Sequence, residues 1–344
     1  MSLLLQTFPL GPQWPTLDPF LFVAHHHDDY PAGTDRLGPA APLDGRSLGS
    51  DFSGRDGWSM YHGTVVPGFP QHPHRGFETV TFLRSGVVDH SDSLGATARF
   101  GAGDTQWMTA GAGIQHAEMF PLLDPQGANP LELFQIWLNL PAEHKMVDPY
   151  FTMLWSGGTP RVVVPDDGGR VTEVMVIAGR LGEPEPPAPP PHSWASNADA
   201  HVAIWHVSMA SRASWRLPPA PDPGVGRVLY AFDGSSVRCA GSDGSADEVV
   251  EAGNGAVLQP DRALDLTAGP QGVECLVLQG RPIGEPVVSY GPFVMNSERE
   301  IEQAIDDYRR TQFGGWPWPG PAPDHGRDAG RFALHPDGRR ELGR

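Results

Sequence analysis

Apolar and polar positions alternate along this chain in short runs separated by glycine. Between residues 60 and 140 the runs include ETVTFLRSG, TARFGAGD and TQWMT, each bounded by turn residues, which predicts strands. LELFQIWLNLP, residues 131–141, is apolar on both alternations, as expected of a strand covered on two faces. The idiom resumes in VTEVMVIAG, HVAIWHVSM, GRVLYAFDG, GAVLQP and VECLVLQG. A polar stretch around 142–170 separates the two sets and predicts a domain junction. EPEPPAPPPHSW, residues 183–194, follows a strand-like run and reads as a long loop inside the second domain.

Two anchors recur at nearly one offset. Val80 and Gly86 bracket VTFLRSG as Val228 and Gly234 bracket VLYAFDG, and AGD at 102–104 answers AGN at 252–254. Together they predict two copies of one β fold. Near the C-terminus, NSEREIEQAIDDYRR predicts a helix. Ser297 can cap it with Glu300 three residues on, and Ile301, Ala304, Ile305 and Tyr308 share one face. The expected division is an N-terminal β domain over 1–145, a second over 146–295, a helix over 296–313 docked on both, and a disordered tail over 314–344, where turn residues abound without periodicity.

Composition narrows the function classes. The 42 glycines and 37 prolines favour many short elements. No run of 18 apolar residues occurs, and the N-terminal MSLLLQTFPLGPQWP lacks a basic segment, so neither a membrane span nor a signal peptide is expected. Two cysteines, Cys239 and Cys275, cannot build a disulfide framework, which points to a reducing cytoplasm. A formal net charge of −17 opposes direct binding to nucleic acid or anionic lipid.

Candidate chemistry starts at His72-Pro73-His74. In a strand, residues i and i+2 face the same way, so both imidazoles aim at one point, and Pro73 puts the pair at a strand start or edge. Alone, such a pair is equally an ordinary rim feature, as His25 and His27 show by having the same spacing without other ligands nearby. The second half is GAGIQHAEM, where His116 and Glu118 repeat the i, i+2 spacing. The two pairs supply three neutral nitrogens and one carboxylate, which suits a divalent first-row metal. A structural zinc site would more often recruit cysteine and close all four positions.

The histidine pair, Glu78 four residues later and the downstream glycine-rich block resemble the two motifs of the cupin superfamily. Thr109 stands where proline is usual, and extra residues separate Gly111 from His116. The resemblance to the pirin family is tighter. It is carried by DPFLFVAHHHDDYP, HPHRGFETVTFL, GDTQWMTAGAGIQHAEM, LFQIWLNLP, HKMVDPYF and GPFVMNSEREIEQAIDDYR, which cover most of residues 18–313. This resemblance implies an all-β chain of two cupin (double-stranded β-helix) barrels in tandem with a C-terminal helix. It implies one divalent metal, Fe(II) foremost, with Mn, Ni, Cu, Co or Zn as alternatives. The implied ligands are His72, His74, His116 and Glu118, with Glu78 supporting them from behind and Phe77, Trp107 and Met108 lining the site.

Resemblance to pirins also implies two functions. One is cleavage of a small aromatic substrate, a flavonol, by a quercetin 2,3-dioxygenase-like reaction with Glu118 as the catalytic base. The other is a non-catalytic, iron-dependent redox-sensing regulator acting through a protein partner. A monomer is expected. The second barrel is expected to hold no metal: alignment on the repeat puts Ala220 and Asp222 opposite His72 and His74, and Leu266 and Ala268 opposite His116 and Glu118.

Overall fold

The computed structural model describes residues 2–241 and 246–343. Its chain forms two units, each drawn from two separate segments: Ala24–Gly157 with Glu285–Arg344, and Met1–Val23 with Gly158–Gly284. Both are β barrels of cupin type, and the chain carries one C-terminal helix, Glu298–Thr311. These segments differ from the expected boundaries at 145 and 295. The N-terminus belongs to the second barrel because strand Leu4–Pro9 pairs antiparallel with Asn254–Leu258 and buries Leu3 and Leu4 in that barrel's core.

In the Ala24–Gly157 unit, one sheet runs Tyr150–Leu154, Thr105–Thr109, Phe77–Ser85, Asn129–Asn139. The second runs Phe332–Leu334, Thr97–Gly101, Val87–Asp92, Ile114–Met119, Gly68–His74. Leu83, Phe100, Met108, Ile114, Leu133 and Phe151 fill the core. Leu–Ile–Phe packing of this kind contributes roughly 1.5–3 kcal/mol per fully buried large side chain.

The repeat is visible in the pairing. Phe77–Ser85 lies between Thr105–Thr109 and Asn129–Asn139, as Gly226–Gly234 lies between Asn254–Leu258 and Val273–Gly280. Val80 opposes Trp107 and Ile136; Val228 opposes Val257 and Leu278. Gly103 and Gly253 both turn with positive φ, 88° and 83°, a conformation glycine adopts without steric cost.

Helix Glu298–Thr311 begins as its sequence predicts. Ser297 Oγ accepts from the Glu300 amide, and Glu300 Oε2 accepts in turn from the Asn296 amide. Ile301 and Ala304 are buried beside Phe293, Met295 and Phe313, and Arg75 reaches Asp307 at 3.0 Å. All of these contacts lie within the Ala24–Gly157, Glu285–Arg344 unit.

The expected disorder over 314–344 is corrected by the fold. Phe332–Leu334 pairs with Thr97–Gly101 and then forms a hairpin with Arg340–Leu342. Ala333 is buried in the barrel core, and Arg331 meets Asp104 at 2.8 Å. The local signal was the alternating FAL and REL around the HPDG turn, too short to register as a periodic run.

Candidate metal centre

Antiparallel pairing of Gly68–His74 with Ile114–Met119 sets His72 opposite His116 and Phe69 opposite Glu118, with a bulge between Phe69 and His72. The i, i+2 spacing then turns His72, His74, His116 and Glu118 toward one side of the sheet. Candidate ligand nitrogens of His72, His74 and His116 lie within 4.8 Å of one another. Their ring centroids are 4.4–4.9 Å apart. Glu118 stands at the edge of this group, its Oε2 3.8 Å from His116 Nε2.

Burial governs the electrostatics. It holds the His72 imidazole down to about 4, and His74 and His116 well below the ordinary range, with neighbouring histidines adding repulsion. All three rings are therefore neutral at physiological pH, the form that binds a metal. His72 Nδ1 lies 2.9 Å from the Pro70 carbonyl, which selects the tautomer that donates there and leaves Nε2 as an acceptor. Neither ring nitrogen of His74 or His116 has a hydrogen-bond partner. The Pro292 backbone opposes the lowering of the His74 pKa, by less than burial and His72 favour it. Buried, unsatisfied nitrogens converging on one point are costly unless something occupies that point. A divalent metal fits this donor set.

Burial also raises the Glu118 carboxyl, opposed by His90, Gln135 and Thr81. Gln135 Nε2 donates to Oε2 at 2.7 Å and Thr81 Oγ1 to Oε1 at 3.3 Å. Gln135 Oε1 accepts from Trp137 Nε1 at 2.9 Å, so the carboxylate is held through a relay from the facing sheet. His90 opposes Glu118 in register; its ring is 5.4 Å from that of His116, and its Nε2 is 3.3 Å from Asp92 Oδ2. Sequence reasoning missed His90, Gln135 and Thr81. His90 and Asp92 repeat the i, i+2 spacing, which was the available signal.

The other expected site residues divide by strand face. Phe77 packs 5.1 Å from the His74 ring and stacks on Trp137 at 4.0 Å, so it walls the site. Met108 is on the same face, opposite Thr79, within the barrel core. Trp107 is opposite Val80, on the other face of the sheet from the histidines. Glu78 shares that other face, and its Oε1 accepts from Thr109 at 2.7 Å. Strand alternation thus removes Trp107 from the lining and Glu78 from direct support of the histidines.

In the second barrel, Leu264–Ala268 corresponds to Ile114–Met119, but its partner is Ser214–Leu217. Trp215 opposes Leu266 as His72 opposes His116. Trp215 and Leu217 therefore take the histidine positions, and Ala220 and Asp222 lie beyond the strand's end. With Leu266 and Ala268, all four matching positions are buried and apolar, and none offers a donor.

Comparison with known proteins agrees with this architecture. The family model described as Pirin matches residues 5–138, and that described as Pirin C-terminal cupin domain matches 204–314. The chain belongs to the pirin family. It is 34% identical over 249 residues to human Pirin, covering 72% of this chain and 78% of that protein. It is 40% identical over 247 residues to a Pseudomonas aeruginosa protein provisionally named a quercetin 2,3-dioxygenase, covering 72% and 79%. The crystal structure of quercetin 2,3-dioxygenase from Acinetobacter baumannii superposes with a TM-score of 0.68 at 26% identity, covering 91% of this chain and 98% of that one. Among the described residues no helix is long and apolar enough to cross a membrane.

Proposed function

We propose that this pirin is a mononuclear non-haem metal dioxygenase that cleaves flavonols. The observation that carries the reading is the convergence of three neutral histidines, His72 half-buried and His74 and His116 buried with no hydrogen-bond partner at either nitrogen, beside a hydrogen-bonded carboxylate. The names of the Pseudomonas and Acinetobacter relatives support the substrate class. His72, His74, His116 and Glu118 would hold one divalent metal, and a nitrogen-rich set with a single carboxylate suits Fe(II). When bound, the metal supplies Lewis acidity and redox chemistry.

The chain's own residues do the rest. Glu118 accepts the proton of the flavonol 3-hydroxyl at a carboxylate oxygen, and burial makes that carboxylate a stronger base. Gln135 and Thr81 fix its orientation. Phe77 and Trp137 present an apolar wall that excludes water and packs a planar ring. Dioxygen is the oxidant; both its atoms enter the opened product, and carbon monoxide leaves.

The test is metal analysis of protein purified without supplementation, then oxygen uptake and carbon monoxide release with a flavonol panel. Loss of the flavonol absorbance band with carbon monoxide release is expected, and it should vanish in Glu118→Gln. Full metal occupancy without turnover for any flavonol would overturn the enzymatic reading in favour of a regulator acting through a protein partner.

A further inference from the structure

The C-terminal barrel carries a feature of its own. A cavity of about 560 Å³ opens at one end of it, within the size range of small-molecule pockets. Leu181, Val202, Ala203, Trp205 and Pro219 form apolar walls, and Arg227 lines it from within. Arg227 is on the same strand face as Leu229 and Ala231, both in the barrel core, so its side chain points inward. By the repeat that matches Val228 to Val80, Arg227 occupies the position of Thr79, on the face of that strand that bears Phe77 and Thr81. Where the first barrel gathers metal ligands, the second has an organic cation.

Arg227 is only 1% exposed, and its hydrogen bonds among the described residues go to neutral acceptors. Nε and Nη2 donate to Gln279 Oε1, and Nη1 donates to the Pro218 carbonyl at 2.7 Å. Gln279 is itself fixed by donating to the His201 carbonyl at 2.9 Å. A guanidinium has five N–H donors, so two remain available. Burial lowers its pKa to about 10, which leaves it charged at neutral pH. A buried cation without a carboxylate is costly, and a bound anion offsets that cost. Arg180, the other arginine lining the cavity, is already paired with Glu185 at 3.1 Å.

We propose that the C-terminal barrel binds a small organic carboxylate, its anionic head on the Arg227 guanidinium and its apolar body against Leu181, Ala203 and Trp205. One cation inside apolar walls selects a monoanion with a hydrophobic body over a compact, strongly hydrated anion such as phosphate.

Ligand-observed ¹⁹F NMR on the full chain tests this, with 4-(trifluoromethyl)benzoate as probe and 4-(trifluoromethyl)benzamide as its neutral counterpart. The wild type should bind the benzoate at least about tenfold more tightly than the amide, as expected for a charge-assisted contact. Arg227→Met should abolish that preference. Ala198→Trp, at an exposed position lining the cavity, should weaken both probes and serves as the deciding variant if Arg227→Met does not fold. His116→Ala should change nothing, since the metal cluster is not involved. Equal affinity for the two probes, benzoate binding that survives Ala198→Trp, displacement by equimolar inorganic phosphate, or loss of binding in His116→Ala would each overturn the proposal.

Discussion

Replacing Gln135 by leucine should weaken metal binding without emptying the site. Leucine keeps the volume and removes the 2.7 Å hydrogen bond that Gln135 Nε2 gives to Glu118 Oε2. Thr81 remains, at the longer distance of 3.3 Å. A hydrogen bond to a charged group contributes about 1.5–3 kcal/mol. At about 1.4 kcal/mol per decade, its loss corresponds to roughly 10- to 100-fold in metal affinity, the usual range for groups that orient a ligand. The measurement is a competition titration against a chromophoric chelator at neutral pH, with thermal unfolding to check the fold. His116→Ala defines the empty site, and Thr81→Val should cost less than Gln135→Leu because its bond is longer. Wild-type affinity in Gln135→Leu would refute the reasoning, since Glu118 would then hold no metal or need no orientation.

Other outcomes follow from the same geometry. Glu78→Gln should retain wild-type metal stoichiometry, because Glu78 faces away from the histidines and serves Thr109; elemental analysis showing an emptied site would reverse that assignment. Burial holds His72 at about 4 against an ordinary 6.5, so between these values the unfolded chain takes up a proton that the native state refuses. Stability of the metal-free protein should therefore be fully present above this window and fall as pH drops through it. Wild type should lose more of its unfolding midpoint than His72→Gln on acidification, and equal losses would exclude the effect. Deleting residues 315–344 should lower the unfolding midpoint. It removes the Phe332–Leu334 strand, the Arg331–Asp104 pair and the contact of Arg99 with the Ala329 carbonyl at 2.9 Å. Rapid proteolytic trimming of that tail from an otherwise unchanged barrel would contradict it.

Much of the candidate metal centre was legible in the chain, for a local reason. The histidine pair and the His116, Glu118 pair each carry their own two-residue period, and that period orients side chains before any partner strand is known. The helix was equally local: cap, stripe and length all lie within Ser297–Thr311. The family resemblance then supplied the barrel type that brings the two pairs together.

Only the tertiary structure decided which strands are neighbours and in what register. A slip of one residue exchanges the two faces of a strand, so the same residues Phe77, Glu78, Trp107 and Met108 divide between site and far face only once Val80 is known to oppose Trp107. His90 and Gln135 join Glu118 from strands distant in sequence, through pairing that no single run encodes. Arg227 reads locally as one polar residue at a strand start. Its neutral hydrogen-bond partners among the described residues, and the cavity it faces, come from how the second barrel closes around it.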